Sequence, residues 1–468
     1  MGKQDLGLPT DTIAAISTAP GRAGISVVRV SGPEATLVAA SLGVTGLTPR
    51  RCVLTAVHHP DDGRLIDRAV VTLYRSPASY TGEDVLEISG HGGTLAPQLL
   101  LDAACAAGAR PAEPGEFTRR AFLNGKIDLV QVEATLDLID ARSEVAHRAA
   151  LFQLERGLSR RIEELRVGLL RLQAMLTYEI DFPEEDDGPL PERRIQGAAN
   201  WLIERLEALL LHAPEGEMVR HGALTVIAGR PNAGKSSLFN SLLGEERAIV
   251  TELPGTTRDA IEAVLTVEGY PFRLVDTAGL RRGADRLESL GIEVAEGYLA
   301  SADLVLFCAE AGRALHEEEL TFLRRWSPAW DARPRVVVVR TKVDRCGREA
   351  GRELVDEASA DERSVEVTVS AVRGDGIQAL RQLLLEAAYS GVRAGTETPL
   401  VTRRRQARAI RRALRDSEAF VNARDAGLPP EIAATHLLDA ERALEELLGV
   451  VETDDVLDVV FSSFCIGK

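Results

Sequence analysis

The sequence predicts a multidomain protein with α+β, all-α and α/β parts, and three observations support this fold class. The chain has 468 residues, too many for one ordinary hydrophobic core. Short β-branched segments fill residues 11–124, whereas apolar residues recur at three- and four-residue spacing from about residue 126 to 217 and again after residue 399. Between these helical stretches, strand and helix patterns alternate, which is typical of a parallel sheet covered by helices.

The order of these patterns divides the chain into four segments. The N-terminal strands are predicted in "TIAAIST", "GISVVRVSG", "DRAVVTLY" and "DVLEISG". We expect the two helical stretches to pack together as one domain, because neither alone would bury its apolar face. The predicted segments are an N-terminal α+β domain (1–124), a first helical part (125–219), an α/β domain (220–388) and a second helical part (389–468).

Composition and charge exclude several classes of protein. The formal net charge of −16 excludes a protein that grips nucleic acid with its whole surface, so any RNA contact must be local. Five scattered cysteines, an odd number without a C-x-x-C pair, fit neither a disulfide framework nor a zinc site. We find no apolar run of about 18–20 residues and no apolar signal region, which predicts a cytoplasmic protein without membrane contact.

A phosphate-binding motif follows the first strand of the α/β segment. The letters "GRPNAGKS" at residues 229–236 have the pattern G-x-x-x-x-G-K-S between an apolar strand and a helix. Such glycines let backbone N–H groups surround phosphate oxygens; the lysine reaches the outer phosphates and the serine hydroxyl binds Mg²⁺. The predicted nucleotide-binding residues here are Asn232, Ala233, Gly234, Lys235, Ser236 and Ser237.

Three more motifs follow in order, each at the end of a strand. "DTAG" offers Asp276 near Mg²⁺ and a glycine N–H for the γ-phosphate. In "TKVD", an aspartate can accept both the ring N1–H and the exocyclic amino N–H of guanine, which favours GTP over ATP. The order of motifs resembles the GTPase superfamily, and it predicts a Ras-like P-loop GTPase domain with a parallel-dominated sheet. The further predicted GTP-binding residues are Thr277, Ala278, Gly279, Thr341, Lys342, Asp344, Ser370 and Ala371.

Two residues differ from those usual in the GTPase superfamily, and both affect the expected binding or hydrolysis of GTP. Thr341 stands where Asn is usual, so it keeps a hydroxyl but lacks the amide. Leu280 stands where many GTPases hold the attacking water with Gln, so hydrolysis needs another arrangement. Positive charge for the transition state would come from Arg258, Arg281 or Arg282, or from a monovalent cation.

A candidate switch segment lies between the first two motifs. The letters "TELPGTTRD" at residues 251–259 place Thr257 where it would close on Mg²⁺ when the γ-phosphate is present. The alternative is an ordinary polar turn. The predicted GTP-binding residues of this segment are Thr251, Glu252, Leu253, Pro254, Gly255, Thr256 and Thr257.

The whole chain resembles one family of bacterial GTPases. "GRPNAGKSS", "GTTRD" and "DTAGLR" are similar to the TrmE/Era-like superfamily, which includes ribosome-assembly factors. "PGRAGISVVRVSG", "SYTGEDVLEISGHGG", "EPGEFTRRAFLNGKIDL" and the terminal "FCIGK" resemble the MnmE (TrmE) family of tRNA modification GTPases. This resemblance extends over essentially the whole chain.

The resemblance implies a reaction and its partners. Members act with a flavoprotein, MnmG, in a heterotetramer or larger assembly, and install an aminomethyl or carboxymethylaminomethyl group on the wobble uridine of certain tRNAs. A tetrahydrofolate derivative, in the 5,10-methylene or 5-formyl form, serves that chemistry. The resemblance also implies a homodimer through the N-terminal domains, and GTP hydrolysis that K⁺ and G-domain dimerisation activate.

The resemblance also assigns residues. It implies a K⁺ site at Asn232, Thr251, Leu253 and Thr256, with Mg²⁺ on Ser236 and Thr257. Glu288 would orient the attacking water; without the resemblance it looks like a surface helix residue. The implied folate-binding residues are Arg29, Glu87, Lys126 and Lys468, although Arg29 or Glu87 alone would look like an ordinary charge on a strand.

The terminal "FCIGK" leaves alternatives for Cys465. A C-a-a-X lipid signal fits poorly, because Gly and Lys are unusual there and no polybasic stretch immediately precedes it. A buried, inert thiol is one alternative; the resemblance instead implies a catalytic nucleophile or redox thiol near the folate. The apolar "VVFSSF" before it predicts a docked helix or strand.

Two questions about function stay open on sequence alone. Arg404, Arg408, Arg411 and Arg415 share a helix face, which fits either an RNA contact or a solvated surface. The whole chain is either a tRNA-modifying GTPase or a GTP-dependent switch or ribosome-assembly factor without modification activity. The folate-like N-terminal domain and the terminal cysteine favour the first.

Overall fold

The computed structural model resolves two compact units. The first comprises Met1–Leu136 with Leu444–Lys468, and the second comprises Asp137–Ala443. The structure describes residues 11–181, 191–244, 261–276, 296–326, 333–346, 365–394, 401–450 and 454–468.

The first unit is built on a six-stranded sheet. Its strand order is β3-β4-β5-β2-β1-β6, with all neighbours antiparallel except the short parallel pair of β1 and β6. The predicted strands are confirmed, and β3 and β6 were not predicted. The strands are β1 (Ile13–Ile16), β2 (Ile25–Ser31), β3 (Val53–His58), β4 (Leu65–Tyr74), β5 (Val85–His91) and β6 (Arg110–Pro111).

The two faces of this sheet differ because side chains alternate along each strand. Val28 and Val30 of β2 point to one face, where they pack with Val38 and Leu100 of the helices. Arg29 therefore points to the other face. The helices that begin in this unit are α1 (Ala35–Ser41), α2 (Leu95–Ala106), α3 (Glu116–Leu123) and α4 (Leu129–Asp140).

The last residues of the chain complete the first unit. Helix α14 (Asp454–Ser462) packs its Phe461 against Leu129 and Val132 of α4, and Phe464 joins the same cluster. The prediction that the apolar "VVFSSF" docks as a helix or strand is confirmed. After this helix, Ile466 forms an antiparallel bridge with Pro114.

The second unit contains a six-stranded, parallel-dominated sheet, as predicted. Its order is β12-β11-β10-β7-β9-β8, and only β8 runs antiparallel to its neighbour. Helices cover both faces, as a parallel sheet requires. The strands are β7 (Ala223–Gly229), β8 (Ile261–Val267), β9 (Tyr270–Asp276), β10 (Leu304–Glu310), β11 (Arg335–Thr341) and β12 (Val365–Thr368), and the helices are α9 (Lys235–Leu243), α10 (Glu317–Trp326) and α11 (Ile377–Ala394).

The remaining helices of the second unit come from both sides of the α/β segment and pack together, as predicted. Helix α12 lies along α7, and Gln153 of α5 donates a buried hydrogen bond to Thr402 just before α12 (3.0 Å). None of the helices in the described ranges combines the length and apolar character that a bilayer crossing requires. These helices are α5 (Glu144–Leu154), α6 (Gly157–Asp181), α7 (Glu192–Leu211), α8 (Ala213–His221), α12 (Arg404–Asp425) and α13 (Pro430–Leu448).

Candidate functional site

The loop between β7 and α9 has the backbone of a phosphate cradle. Gly229 has φ +137°, and a Cβ there would lie 2.3 Å from the Cys308 carbonyl oxygen of the neighbouring strand. Asn232 and Gly234 also have positive φ, and Gly234 is the residue before α9. Successive backbone N–H groups at a helix N-terminus can bind an anion, so this backbone is compatible with the predicted phosphate loop.

Lys235 and Ser236 lie at the bottom of this loop. The Lys235 ammonium is buried and donates to the carbonyl oxygens of Gly229 (2.9 Å) and Arg230 (2.8 Å). Ser236 Oγ donates to Oδ2 of Asp276 at the end of β9 (2.9 Å). A hydroxyl and a carboxylate that converge beside a phosphate loop are oxygen ligands that Mg²⁺ accepts, so these residues fit the ion.

Thr341, the departure from the superfamily pattern, contacts the phosphate loop. Its side chain is buried, and Oγ1 lies 2.7 Å from the Ala233 carbonyl oxygen and 3.2 Å from that of Ala309. A Cβ on Gly234 would come within 3.3 Å of the Thr341 Cβ. The hydroxyl therefore joins the end of β11 to the phosphate loop.

Asp344 and Ser370, both predicted to contact the guanine base, are hydrogen-bonded to each other. Ser370 Oγ donates to Asp344 Oδ1 (2.7 Å), and this hydrogen bond holds the pKa of the carboxyl below its usual range. Asp344 is therefore ionised at neutral pH and accepts hydrogen bonds only. Lys342 adopts φ +59° and its ammonium lies 3.2 Å from Glu310, while Ala371 directly follows Ser370.

Part of the predicted nucleotide site falls outside the described residues. This applies to the predicted switch segment, the "DTAG" glycine, the predicted water-orienting glutamate and the arginines considered for transition-state charge. These residues are Thr251, Glu252, Leu253, Pro254, Gly255, Thr256, Thr257, Arg258, Thr277, Ala278, Gly279, Leu280, Arg281, Arg282 and Glu288.

In the first unit, Arg29 and Glu87 form one ion pair on the sheet. They are direct partners in the β2–β5 register, and Arg29 Nε and Nη2 donate to Glu87 Oε1 (3.0 and 2.8 Å). The guanidinium carbon lies 5.4 Å from the ring centre of Tyr80 and 5.8 Å from that of Phe117. The two side chains are mostly buried (17% and 26% exposed). Such an ion pair beside two aromatic rings suits a flat ring that carries hydrogen-bonding groups.

Lys468 and Lys126 are the other two predicted folate-binding residues. Partial burial lowers the pKa of Lys468, and the nearby charge of Arg29 adds to this effect while that of Glu87 opposes it. Lys126 is exposed and donates to the Pro77 carbonyl (2.8 Å).

Two glycines let the terminal residues approach the sheet. Gly467 has φ +96°, and a Cβ there would lie 2.4 Å from the Ile16 carbonyl oxygen at the end of β1. Gly115 has φ +69°, its N–H donates to the Cys465 carbonyl (3.4 Å), and a Cβ there would lie 2.5 Å from the Phe461 carbonyl oxygen. The alternative of a buried thiol is wrong, because Cys465 is exposed.

Sequence reasoning missed four residues of these sites. It gave no role to Tyr80, Phe117, Gly115 or Gly467, although each lies in a segment quoted above for the resemblance. Their contacts join positions far apart in the chain. Only the strand register and the docking of the tail reveal them.

The chain was compared with family models and with known proteins. A model described as GTP-binding protein TrmE N-terminus matches residues 12–126, and one described as MnmE helical domain matches residues 129–465. The tRNA modification GTPase MnmE of Moorella thermoacetica is 39% identical over 467 residues, which cover 98% of this chain and 99% of that protein. The chain belongs to the MnmE family.

A second relative carries the same name, and the likeness to solved structures is limited. The MnmE of Laribacter hongkongensis is 42% identical over 460 residues, which cover 98% of this chain and 99% of that protein. Among solved structures, the G domain of the T. maritima FeoB iron transporter is 29% identical and covers 36% of this chain and 98% of that chain, with a TM-score of 0.27. The assignment to MnmE does not depend on that low-scoring likeness.

Proposed function

We propose that this chain is a GTP hydrolase that modifies tRNA, as its membership of the tRNA modification GTPase family indicates. The observation that supports GTP as substrate is the shared edge of one parallel sheet. The phosphate loop with Lys235 and Ser236 lies there with the carboxylates of Asp276 and Asp344. Ligand sites in such sheets lie beyond the carboxyl ends of the strands.

We assign the residues of this edge to parts of GTP. Lys235 and the N–H groups of residues 232–237 hold the phosphates, and Asp344 accepts hydrogen bonds from the ring N1–H and the exocyclic amino group of guanine. Ser236 and Thr257 would ligate Mg²⁺, which would neutralise charge on the phosphates. Because Thr341 already hydrogen-bonds the phosphate loop, we assign it to positioning that loop, with guanine recognition left to Asp344 and the turn at Ser370 and Ala371.

We propose that K⁺ supplies the positive charge that an arginine provides in other GTPases. The proposed ligands are Asn232, Thr251, Leu253 (through its carbonyl) and Thr256, and Glu288 is proposed to orient the attacking water. The observation that supports a loop ligand is the positive φ of Asn232. Hydrolysis rates measured in K⁺ and in Na⁺ at equal ionic strength test this site; equal rates would disprove it.

We propose a tetrahydrofolate site in the first unit. Arg29 and Glu87 are paired there, the charges of both act on the pKa of Lys468, and Lys126 would join them only on binding. The folate derivative would supply the one-carbon unit. Titration with 5-formyl-tetrahydrofolate should give saturable binding, and Glu87→Gln should weaken it; no heat or fluorescence change in the wild type would count against the site.

The remaining parts of the proposal concern partners and organisation. The chain would act as a cytoplasmic homodimer with the flavoprotein MnmG, and its four segments would be those predicted from sequence (1–124, 125–219, 220–388 and 389–468). The exposed Cys465, whose carbonyl accepts a hydrogen bond from Gly115 in the docked tail, would act as a nucleophile or redox thiol toward the wobble uridine.

One experiment tests the whole proposal. Mass spectrometry of tRNA nucleosides should show loss of the modified wobble uridine in cells that lack the gene. Restoring the gene should restore the modification, and restoring it with Cys465→Ser should not. Rescue by the serine variant would remove the thiol from the chemistry, and full modification without the gene would disprove the function.

A further inference from the structure

The second unit contains a cleft lined by arginines. Its volume is about 710 Å³. Its walls come from α8, from β7 and β9, from the residues before β10, from Arg333 before β11 and from the start of α12. The lining arginines are Arg220, Arg273, Arg333, Arg403, Arg404 and Arg411, and the lining carboxylates are Glu217 and Asp303.

The cleft lies on the side of the sheet opposite the nucleotide site. Leu224 and Asp303, which line it, lie at the amino ends of β7 and β10. The phosphate loop follows Gly229 at the carboxyl end of β7. GTP bound at the phosphate loop therefore does not fill this cleft.

The cleft has an excess of positive charge in a chain that is strongly acidic overall. Asp137, bonded to Arg403 (2.6 Å) and Arg220 (2.5 Å), brings a third carboxylate, and Glu262, bonded to Arg273, brings a fourth. Six arginines thus face four carboxylates. His221 adds no charge at neutral pH, because partial loss of hydration, and then the charge of Arg220, lower its pKa to about 4.

The basic surface continues from the cleft along α12. Residues 403–415 contain seven arginines and no acidic residue. Arg408 and Arg411 are exposed, and no carboxylate in the described part of the chain pairs with either of them. From Arg404 to Arg415 the helix rises by roughly 16 Å, at 1.5 Å per residue. A single small anion would occupy only one end of this surface.

We propose that the cleft and the exposed arginines of α12, together the arginine surface, bind the phosphate backbone of RNA. The inference rests on the proposed function, in which tRNA is the substrate. All the basic lining residues are arginines, whose guanidinium groups bind phosphate with two parallel hydrogen bonds. Contacts to phosphate position a nucleic acid without reading its sequence, which suits an enzyme that acts on several tRNAs.

The arginine surface contains two kinds of arginine. Arg220 and Arg403 are tied to Asp137 and hold the wall of the cleft, so replacing them would disturb the structure. Arg408 and Arg411 have no such role and are available to a ligand. They are the residues to replace.

The test is tRNA binding by the full chain over a series of salt concentrations. Arg408→Gln with Arg411→Gln should weaken tRNA binding by about tenfold at low salt. It should also reduce the slope of log affinity against log salt by about 1.4–1.8, because two phosphate contacts are lost. GTP hydrolysis without tRNA should stay unchanged, which separates this inference from the proposed GTPase activity.

Two further variants control the result. Arg160→Gln with Arg161→Gln removes the same charge from exposed positions of α6 and should leave the affinity and slope near the wild-type values. Arg408→Lys with Arg411→Lys keeps the charge and should retain most of the affinity. Equal losses in the α6 and α12 glutamine variants, or no loss in either, would overturn the proposal.

Other occupants of the arginine surface give different results. If inorganic phosphate at constant ionic strength binds in the cleft but does not displace tRNA, the cleft is a small-anion site and the proposal fails. If the α12 glutamine variant releases an acidic protein partner while tRNA binding is unchanged, the surface is a protein interface and the proposal also fails. Wobble-uridine modification in cells that lack the gene is measured separately. Loss of the modification there, together with normal tRNA binding by the α12 glutamine variant, would mean that this inference fails while the proposed function stands.

Discussion

The nucleotide site and the terminal-tail site differ in how the chain builds them. The phosphate loop is one continuous segment whose geometry depends on glycines within eight residues, from Gly229 to Ser236. The tail site combines Arg29 and Glu87, which are 58 residues apart, with residues 465–468, which lie more than 370 residues further along the chain. A local motif carries its own geometry, whereas a site of distant residues depends on register and docking. Damage to one site should therefore leave the other intact.

The largest expected effect comes from the phosphate loop. Lys235→Ala removes the buried ammonium and should lower the rate of GTP hydrolysis by about 100-fold or more, because positive charge at the transferred phosphate is lost. Hydrolysis assays measure this, with Arg324→Ala on the exposed face of α10 as the control. Binding of 5-formyl-tetrahydrofolate should be unchanged in both variants. Weaker folate binding in Lys235→Ala alone would contradict the independence of the nucleotide site and the tail site.

A substitution in the terminal tail should disrupt only the tail site. Gly467→Ala places a Cβ 2.4 Å from the Ile16 carbonyl and strains a φ of +96°, so it should displace Lys468. We expect wobble-uridine modification in cells to fall by about tenfold, with GTP hydrolysis unaffected. The matched control is Gly63→Ala, since Gly63 has φ +66° but no atom within 4 Å of the added Cβ. Equal effects of the two substitutions would show that tail docking is not the cause.

A smaller effect is expected for the hydroxyl that joins β11 to the phosphate loop. Thr341→Val keeps the shape but leaves the Ala233 carbonyl without its donor, so GTP affinity should fall by about five- to tenfold, or about 1–1.5 kcal/mol. Thr341→Ser should retain most of the affinity, and Thr321→Val on α10 should have no effect. Nucleotide titration measures the GTP affinity of all three variants. Unchanged affinity in Thr341→Val would show that the Thr341 hydrogen bond does not contribute to GTP binding.

The smallest effect concerns pH. The hydrogen bond from Ser370 keeps the pKa of Asp344 below its ordinary value, so the wild-type carboxylate stays ionised as the pH falls. Ser370→Ala raises that pKa, and GTP affinity should be a few-fold lower at pH 7 and should begin to fall at a higher pH than in the wild type. Titrations from pH 7 to pH 4 would show this, and superimposable pH profiles would refute the role of Ser370.

The same contrast explains how much the sequence predicted. The phosphate loop, Asp276, Thr341 and Asp344 were found by spacing alone, because each follows an apolar strand and such strands end at one edge of a parallel sheet. The contact between Thr341 and the Ala233 carbonyl was not predicted, since spacing places a residue on an edge but does not orient its side chain.

The tail site could not be predicted from the spacing of residues in the sequence alone. The pairing of Arg29 with Glu87 follows from the β2–β5 register, and a shift by one residue would place them on opposite faces. Sequence suggested this pair only through the family resemblance. The same resemblance grouped Lys126 with them; in the structure Lys126 donates to the Pro77 carbonyl, and its place in a folate site stays a prediction.

The first unit is formed by two separate segments of the chain, and this has a consequence for synthesis on the ribosome. Leu129 and Val132 pack against Phe461 and Phe464, but about 300 residues of the second unit lie between them in the chain. At roughly 5–20 residues per second, translation takes about 15–60 s to cross that interval. During this time the apolar face of α4 has emerged without its partner helix, which makes it a natural contact for a molecular chaperone.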